Sequence, residues 1–119
     1  MSKIITFNGN LPESEFDYPK VERLVKGNPK RTTWNLFTNM NGEINAGIWE
    51  CEVGAWKIFM GPTEDEFFHV ISGIARLHIG DKFTEVKAGE SAIIPAGTEA
   101  IFEVVERVKK HYVIVERKA

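Results

Sequence analysis

The sequence contains little cysteine and histidine, no long apolar run and no large excess of either charge. One cysteine in 119 residues excludes internal disulfides, which is typical of a reducing compartment, so we expect a cytoplasmic protein. The opening apolar run is too short for a signal peptide and no later run could span a bilayer, so we expect no membrane association. A formal net charge of -2 provides no basic footprint, so we expect no nucleic-acid partner.

A lone cysteine and a basic cluster are often functional, but in this sequence both are better interpreted as structural. Cys51 lies within the strand-like run "AGIWECEV" between two glutamates, which would raise the pKa of a thiol, so we expect a small half-buried side chain. The basic cluster of Arg107, Lys109 and Lys110 follows Glu103 and Glu106, a pattern typical of a solvated face.

From Trp34 onward, short apolar runs rich in Ile, Val, Phe, Trp and Thr alternate with Gly, Asp, Asn or Pro. None keeps a helical period over the dozen residues that a helix needs. This pattern predicts an all-β chain, an antiparallel sandwich or barrel, with hairpins near Asn41-Gly42 and Gly80-Asp81. We expect a single domain in which residues 1–33 form an arm or cover and residues 34–119 form the barrel.

Two glycine-bounded motifs carry a family resemblance. Six residues separate Glu66 from Gly73, and five separate Gly89 from the run Pro95-Ala96-Gly97. In this order and spacing they resemble the two motifs of the cupin superfamily, and the flanking stretches "GIWECEVGAWKI" and "VVERVKKHYVIV" are similar to its DUF861 (Cupin_3) branch. The resemblance, from about Gly47 to Val115, implies a small antiparallel jelly-roll β-barrel and, usually, a homodimer.

Most metal ligands of that family are replaced in this sequence. Metal-binding cupins have a His-x-His pair three or four residues before the glutamate that aligns with Glu66, and another histidine in the second motif. These positions hold Phe59 and Gly61, or Met60 and Pro62, depending on the gap, and then Ala100. A lone carboxylate cannot hold Zn, Mn or Fe tightly, because such sites need three or four protein donors. We therefore expect no cofactor; the alternative is a divalent metal held by Glu66 with His78 or His111.

Glu66 is the best candidate for a functional side chain, because carboxylates are depleted in strands and costly to bury without a partner. The resemblance implies that it faces into the barrel. The ligand pocket would then be lined by Trp56, Met60, Glu66, Phe68, Ala100 and Phe102. There Glu66 would bind a polar group of a ligand or transfer a proton. The alternative is a structural role, in which Glu66 forms an ion pair with Lys57 or Arg76 or accepts hydrogen bonds from backbone N–H groups.

Two classes of function follow from these observations. The first is a metal-free module that binds a small polar metabolite inside the barrel, anchored by Glu66 and packed on aromatic walls. The second, implied by the name commonly given to the branch, is a metal-dependent enzyme similar to (S)-ureidoglycine aminohydrolase in ureide and nitrogen metabolism. We also expect a homodimer, because the apolar residues of the arm would cover open sheet edges of a partner.

Overall fold

The computed structural model describes residues 3–118, which form antiparallel strands and one short 3₁₀ helix, Val21–Arg23. The strands are β1 (Glu15–Asp17), β2 (Leu24–Lys26), β3 (Arg31–Thr38), β4 (Ile44–Cys51), β5 (Gly54–Phe59), β6 (Glu64–Ile79), β7 (Lys82–Lys87), β8 (Ser91–Ile94) and β9 (Glu99–Glu116). The predicted all-β class is confirmed. Among these residues no helix is both long and apolar enough to cross a bilayer.

The two long strands β6 and β9 organise the curled sheet. β9 pairs with β4, β5 and β6, while β6 also pairs with β8 through its first half and β7 through its second. The β6–β9 register shifts three times between Val70 and Ala75, and such irregularities bend a strand and increase its twist. The path of hydrogen-bonded strands through β9 has the order β1-β3-β4-β9-β5-β2.

Glycine allows a close approach of two backbone segments and several turns in this fold. Gly73, at the register shift, has φ +91°, and a Cβ there would lie 2.0 Å from the carbonyl oxygen of Arg107. Gly89 has φ +88°, but the place that a Cβ would occupy there is open space. The predicted turns at Asn41-Gly42 and Gly80-Asp81 are also found, and the glycine of each has a positive φ that other residues adopt only with strain.

The arm contributes two short strands to the sheet of its own chain. β1 pairs with β3, and β2 pairs with β5, so each covers an outer strand. Strand β3 begins at Arg31, a few residues before the barrel boundary expected from the sequence. The homodimer stays a prediction, but these two stretches of the arm cover their own sheet rather than that of a partner.

The core lies inside the curled sheet and is built from alternate residues of the strands. Its buried members are Cys51, Trp56, Phe68, Val70, Ala75, Val86, Ile94, Phe102, Val104, Val108 and Tyr112. On β9, Val108 and Tyr112 point inward, and the strand period of two aims Lys110 the same way. The side chain between them is therefore a buried lysine, with only 6% of its surface exposed.

Candidate functional site

A cavity of about 700 Å³ opens from the core and is the main candidate site. Its lining comprises Arg31, Thr33, Asn35, Gly42, Asn45, Trp49, Trp56, Ile58, Met60, Glu64, Glu66, Ile94, Phe102, Lys110, Tyr112, Ile114, Glu116 and Lys118. A concave site with apolar walls and a few convergent polar groups is typical of small-molecule binding.

Glu66 and Lys110 form an ion pair within this cavity. The two residues lie on neighbouring strands, β6 and β9, and Lys110 Nζ donates a hydrogen bond of 2.8 Å to Glu66 Oε2. The side chains are 14% and 6% exposed, respectively. Among residues 3–118 none donates a hydrogen bond to the other oxygen, Oε1, so this atom is available to a ligand in the cavity.

Three aromatic rings lie against the Lys110 ammonium group, which also lines the cavity. Nζ lies 4.3 Å from the ring centroid of Trp49, 4.5 Å from that of Phe68 and 4.9 Å from that of Phe102. Trp56 extends this surface by stacking on Phe102 at 5.3 Å. We call these four rings the aromatic wall. The faces of aromatic rings attract a cation, so the wall and Glu66 both attract the ammonium group of Lys110.

Tyr112 provides a further polar group on the lining. Its hydroxyl donates a 2.8 Å hydrogen bond to Asn35 Oδ1. Burial, and secondarily the charge of Glu66, raises the pKa of Tyr112 to about 12, so the phenol stays protonated at neutral pH. Gly47 leaves room for this hydroxyl, because a Cβ at that position would lie 2.9 Å from it and 2.1 Å from the carbonyl oxygen of Trp34.

The structure brings most of the expected pocket residues together. Trp56, Met60, Glu66 and Phe102 all line the cavity. Phe68 is fully buried behind the lining, where its ring contacts the Lys110 ammonium group. Ala100 is also buried but contributes to a different, shallow depression on the described surface, together with His78.

The two histidines considered as metal ligands lie away from Glu66. His78 Nε2 is 2.8 Å from Glu103 Oε1, and its ring stacks on Phe83. His111 is the cross-strand partner of His69 and packs on Phe7. Neither histidine lines the cavity formed by the described residues.

The residues around Glu66 do not fit a divalent metal. Within residues 3–118 no three His, Cys, Asp or Glu side chains are grouped so as to hold one. The nearest charged group to the surviving carboxylate is an ammonium, which cannot donate a lone pair to a metal while it is protonated. The positive charge of Lys110 instead compensates the negative charge of Glu66.

The structure changes two interpretations of the sequence. Lys110 is buried and paired, whereas we expected it on a solvated face. The signal that could have shown its direction is the alternation with Val108 and Tyr112 in "VKKHYVIV". Glu66 does have a cationic partner, but it is Lys110 rather than Lys57, which is exposed, or Arg76, which pairs with Glu85.

Cys51 is more buried than expected but is a structural residue, as predicted. It has no exposed surface, and burial raises the pKa of its thiol to about 12. A thiol that stays protonated is a poor nucleophile.

Comparison with known proteins shows the family. The model of the EutQ-like cupin domain (Cupin_3) matches residues 38–112, more than half of the chain. The protein therefore belongs to the EutQ-like cupin family, and the expected cupin β-barrel of the DUF861 branch is confirmed. A comparison with curated proteins gives no match.

Solved structures support the same fold. The EutQ protein of Clostridium difficile is 22% identical, with a TM-score of 0.65 over 76% of this chain and 65% of that chain. A DUF861 protein of unknown function from Pseudomonas syringae is 17% identical, with a TM-score of 0.77 over 93% of this chain and 46% of that one. A putative ethanolamine utilization protein from Salmonella typhimurium is 16% identical, with a TM-score of 0.65 over 92% of this chain and all of that one. The chain thus spans about two thirds of the length of the Clostridium difficile protein and about half of the length of the Pseudomonas syringae protein.

Proposed function

We propose that this cupin domain binds a small polar metabolite in the barrel cavity, without a metal, and that Glu66 and Lys110 form its polar anchor. The observation that carries the proposal is the ammonium group of Lys110, which lines the cavity 2.8 Å from Glu66 and lies against three rings of the aromatic wall. In a metal-binding cupin the corresponding carboxylate would be a ligand of a divalent metal ion. Here an organic cation that belongs to the chain supplies the compensating charge.

The pair presents a donor and an acceptor side by side. Lys110 carries two further N–H groups beyond the one given to Glu66 Oε2, and Oε1 can accept a hydrogen bond. A neutral amide or ureide group is complementary to this arrangement, because its carbonyl accepts and its N–H donates. The flat surfaces of Trp56 and Phe102 would pack against the ligand's apolar body.

Calorimetric titration with a neutral amide, N-acetylphenylalaninamide, and with a set of small ureides tests the proposal. We expect binding to the wild-type protein and a loss of at least tenfold in affinity in Glu66→Gln, since a hydrogen bond to a charged group contributes about 1.5–3 kcal/mol. The matched control is Glu85→Gln, which removes a carboxylate that pairs with Arg76 outside the cavity lining. Equal affinities in the two variants would contradict the anchor.

The competing hypothesis is a metal-dependent enzyme similar to (S)-ureidoglycine aminohydrolase. It requires about one bound metal ion per chain, and added Mn²⁺ or Zn²⁺ should then raise the melting temperature of the wild type but not of Glu66→Gln. Metal analysis of the purified protein together with this thermal-shift pair distinguishes the two. Stoichiometric metal that depends on Glu66 would replace our proposal with the enzymatic one.

A further inference from the structure

Besides Lys110, the cavity lining contains two cations, Lys118 and Arg31; Arg31 lies some distance along the chain from the family motifs. It is the first residue of β3, its side chain is 21% exposed, and its guanidinium carbon lies 5.2 Å from the centroid of the Trp56 ring. Trp56 is part of the aromatic wall, so Arg31 and Lys110 contact two parts of one aromatic surface.

One edge of the Arg31 guanidinium is held in place by Asp17 of β1. Nε donates to Asp17 Oδ1 at 2.9 Å, and Nη2 donates to Oδ2 at 2.7 Å. Among residues 3–118, none accepts a hydrogen bond from Nη1. The guanidinium is therefore oriented on one edge by a carboxylate and on one face by a ring, and retains donors for another acceptor.

The carboxylate partners of Lys110 and Arg31 differ in position. Glu66, the partner of Lys110, lines the cavity and is 14% exposed. Asp17, the partner of Arg31, does not line it and is 64% exposed, where water screens its charge. A ligand in the cavity would therefore contact both Lys110 and its partner Glu66, whereas it would contact Arg31 but not Asp17. Arg31 is the better receptor for an anionic group of the ligand.

We propose that the ligand of this cavity carries a carboxylate that Arg31 binds, and that its class is a small N-acylated amino acid with an apolar side chain. This inference rests on the proposed function, which places the amide at Lys110 and Glu66. The planar guanidinium fork suits a carboxylate, and the cavity lining contains apolar residues, among them Ile58, Met60 and Ile94, for the side chain.

The test compares N-acetylphenylalanine with its neutral amide by calorimetric titration. The two molecules have nearly the same size and differ in one negative charge. We expect the wild-type protein to bind the acid about tenfold more tightly, because a charge-assisted pair is roughly twice as strong as a neutral hydrogen bond. In Arg31→Gln this preference should fall to about twofold or less. Arg31→Lys keeps the charge without the fork and should retain only part of it, which also serves if Arg31→Gln fails to fold.

Arg76→Gln is the matched control for loss of an arginine. Arg76 pairs with Glu85 at 3.0 Å and packs on Phe83 at 4.6 Å, the same combination of contacts as Arg31 makes, but it does not line the cavity. We expect the preference for the acid to persist in this variant. Loss of the preference in Arg76→Gln to the same extent as in Arg31→Gln would overturn direct recognition.

Asp17→Asn separates recognition by Arg31 from the docking of β1. It breaks the same ion pair but keeps the guanidinium, so the preference for the acid should persist or increase. Its loss in Asp17→Asn as well as in Arg31→Gln would mean that β1, not Arg31, controls binding, and would overturn the inference. Binding of the amide without preference for the acid would overturn the carboxylate while the proposed function stands. Binding of neither probe would overturn the N-acyl class, and the ureide titration would then decide the proposed function separately.

Discussion

Replacing Glu66 by glutamine isolates the energetic role of the buried ion pair. The change keeps the size of the side chain but removes the charge opposite Lys110, whose side chain is 6% exposed. Removal of one partner from a buried pair costs about 3–5 kcal/mol, because the other charge is left buried without compensation. The glutamine carbonyl can still accept a hydrogen bond, and the rings around the buried Nζ contribute roughly 0.5–2 kcal/mol each. We therefore expect a loss at the lower end, about 3 kcal/mol.

Urea unfolding followed by tryptophan fluorescence measures this loss, and thermal unfolding provides a second value. A change of about 1 kcal/mol moves the melting temperature by roughly 4 °C in a domain of this size, so Glu66→Gln should melt about 12 °C lower. The surface pair of Arg76 and Glu85, with both side chains 37% exposed, is the reference. There Glu85→Gln should cost about 0–1 kcal/mol.

A second variant distinguishes an uncompensated charge from a simple packing defect. The double replacement Glu66→Gln with Lys110→Met removes both charges, and a buried pair can often be replaced by apolar groups at little cost. It should therefore be more stable than Glu66→Gln alone, a positive coupling in the double-mutant cycle. If Glu66→Gln is no less stable than Glu85→Gln, or if the double variant is less stable than both singles, the ion pair does not have the role that we assign to it.

Three further predictions concern the rest of the fold. Gly73→Ala should cost at least about 2 kcal/mol more than Gly89→Ala in chemical unfolding, because both have a positive φ but only Gly73 has backbone in the place of a Cβ; equal costs would exclude the close approach as the cause. Burial, then His69 and Lys109, lower the pKa of His111 below its ordinary value, so its neutral form is favoured on folding. The folded state then binds fewer protons than the unfolded state, and stability present above about pH 6.5 should decrease on acidification through the histidine range; His111→Gln should reduce this dependence, and an unchanged melting profile from pH 7.5 to 5.5 would contradict it. Sedimentation should give a homodimer at micromolar concentration, and Ile93→Lys should weaken it, because Ile93 is 66% exposed on β8; a wild-type monomer would refute the dimer.

The sequence predicted the strands and turns well because the signals are local. Alternating β-formers bounded by glycine mark the strands, and the Asn41-Gly42 and Gly80-Asp81 pairs mark hairpins through the backbone freedom of glycine. The family resemblance also implied a pocket with Glu66, Trp56, Met60 and Phe102, and these four residues line one cavity in the structure. What it did not identify is Arg31, which lies outside the motifs and reaches the cavity only because β3 pairs with β4 beside the core.

Lys110 illustrates why the candidate site needed the structure. A lysine beside another lysine and an arginine is usually solvated, and that composition argues for the surface. The phase of the strand argues for the interior, since Val108 and Tyr112 share its face. The phase of the strand determines the direction of Lys110 here because Glu66, 44 residues away in sequence, supplies the opposite charge. Two of the rings around Nζ, those of Trp49 and Phe68, also lie on other strands. No local pattern contains such a compensation, so a buried charge can be recognised only once its partners are brought together.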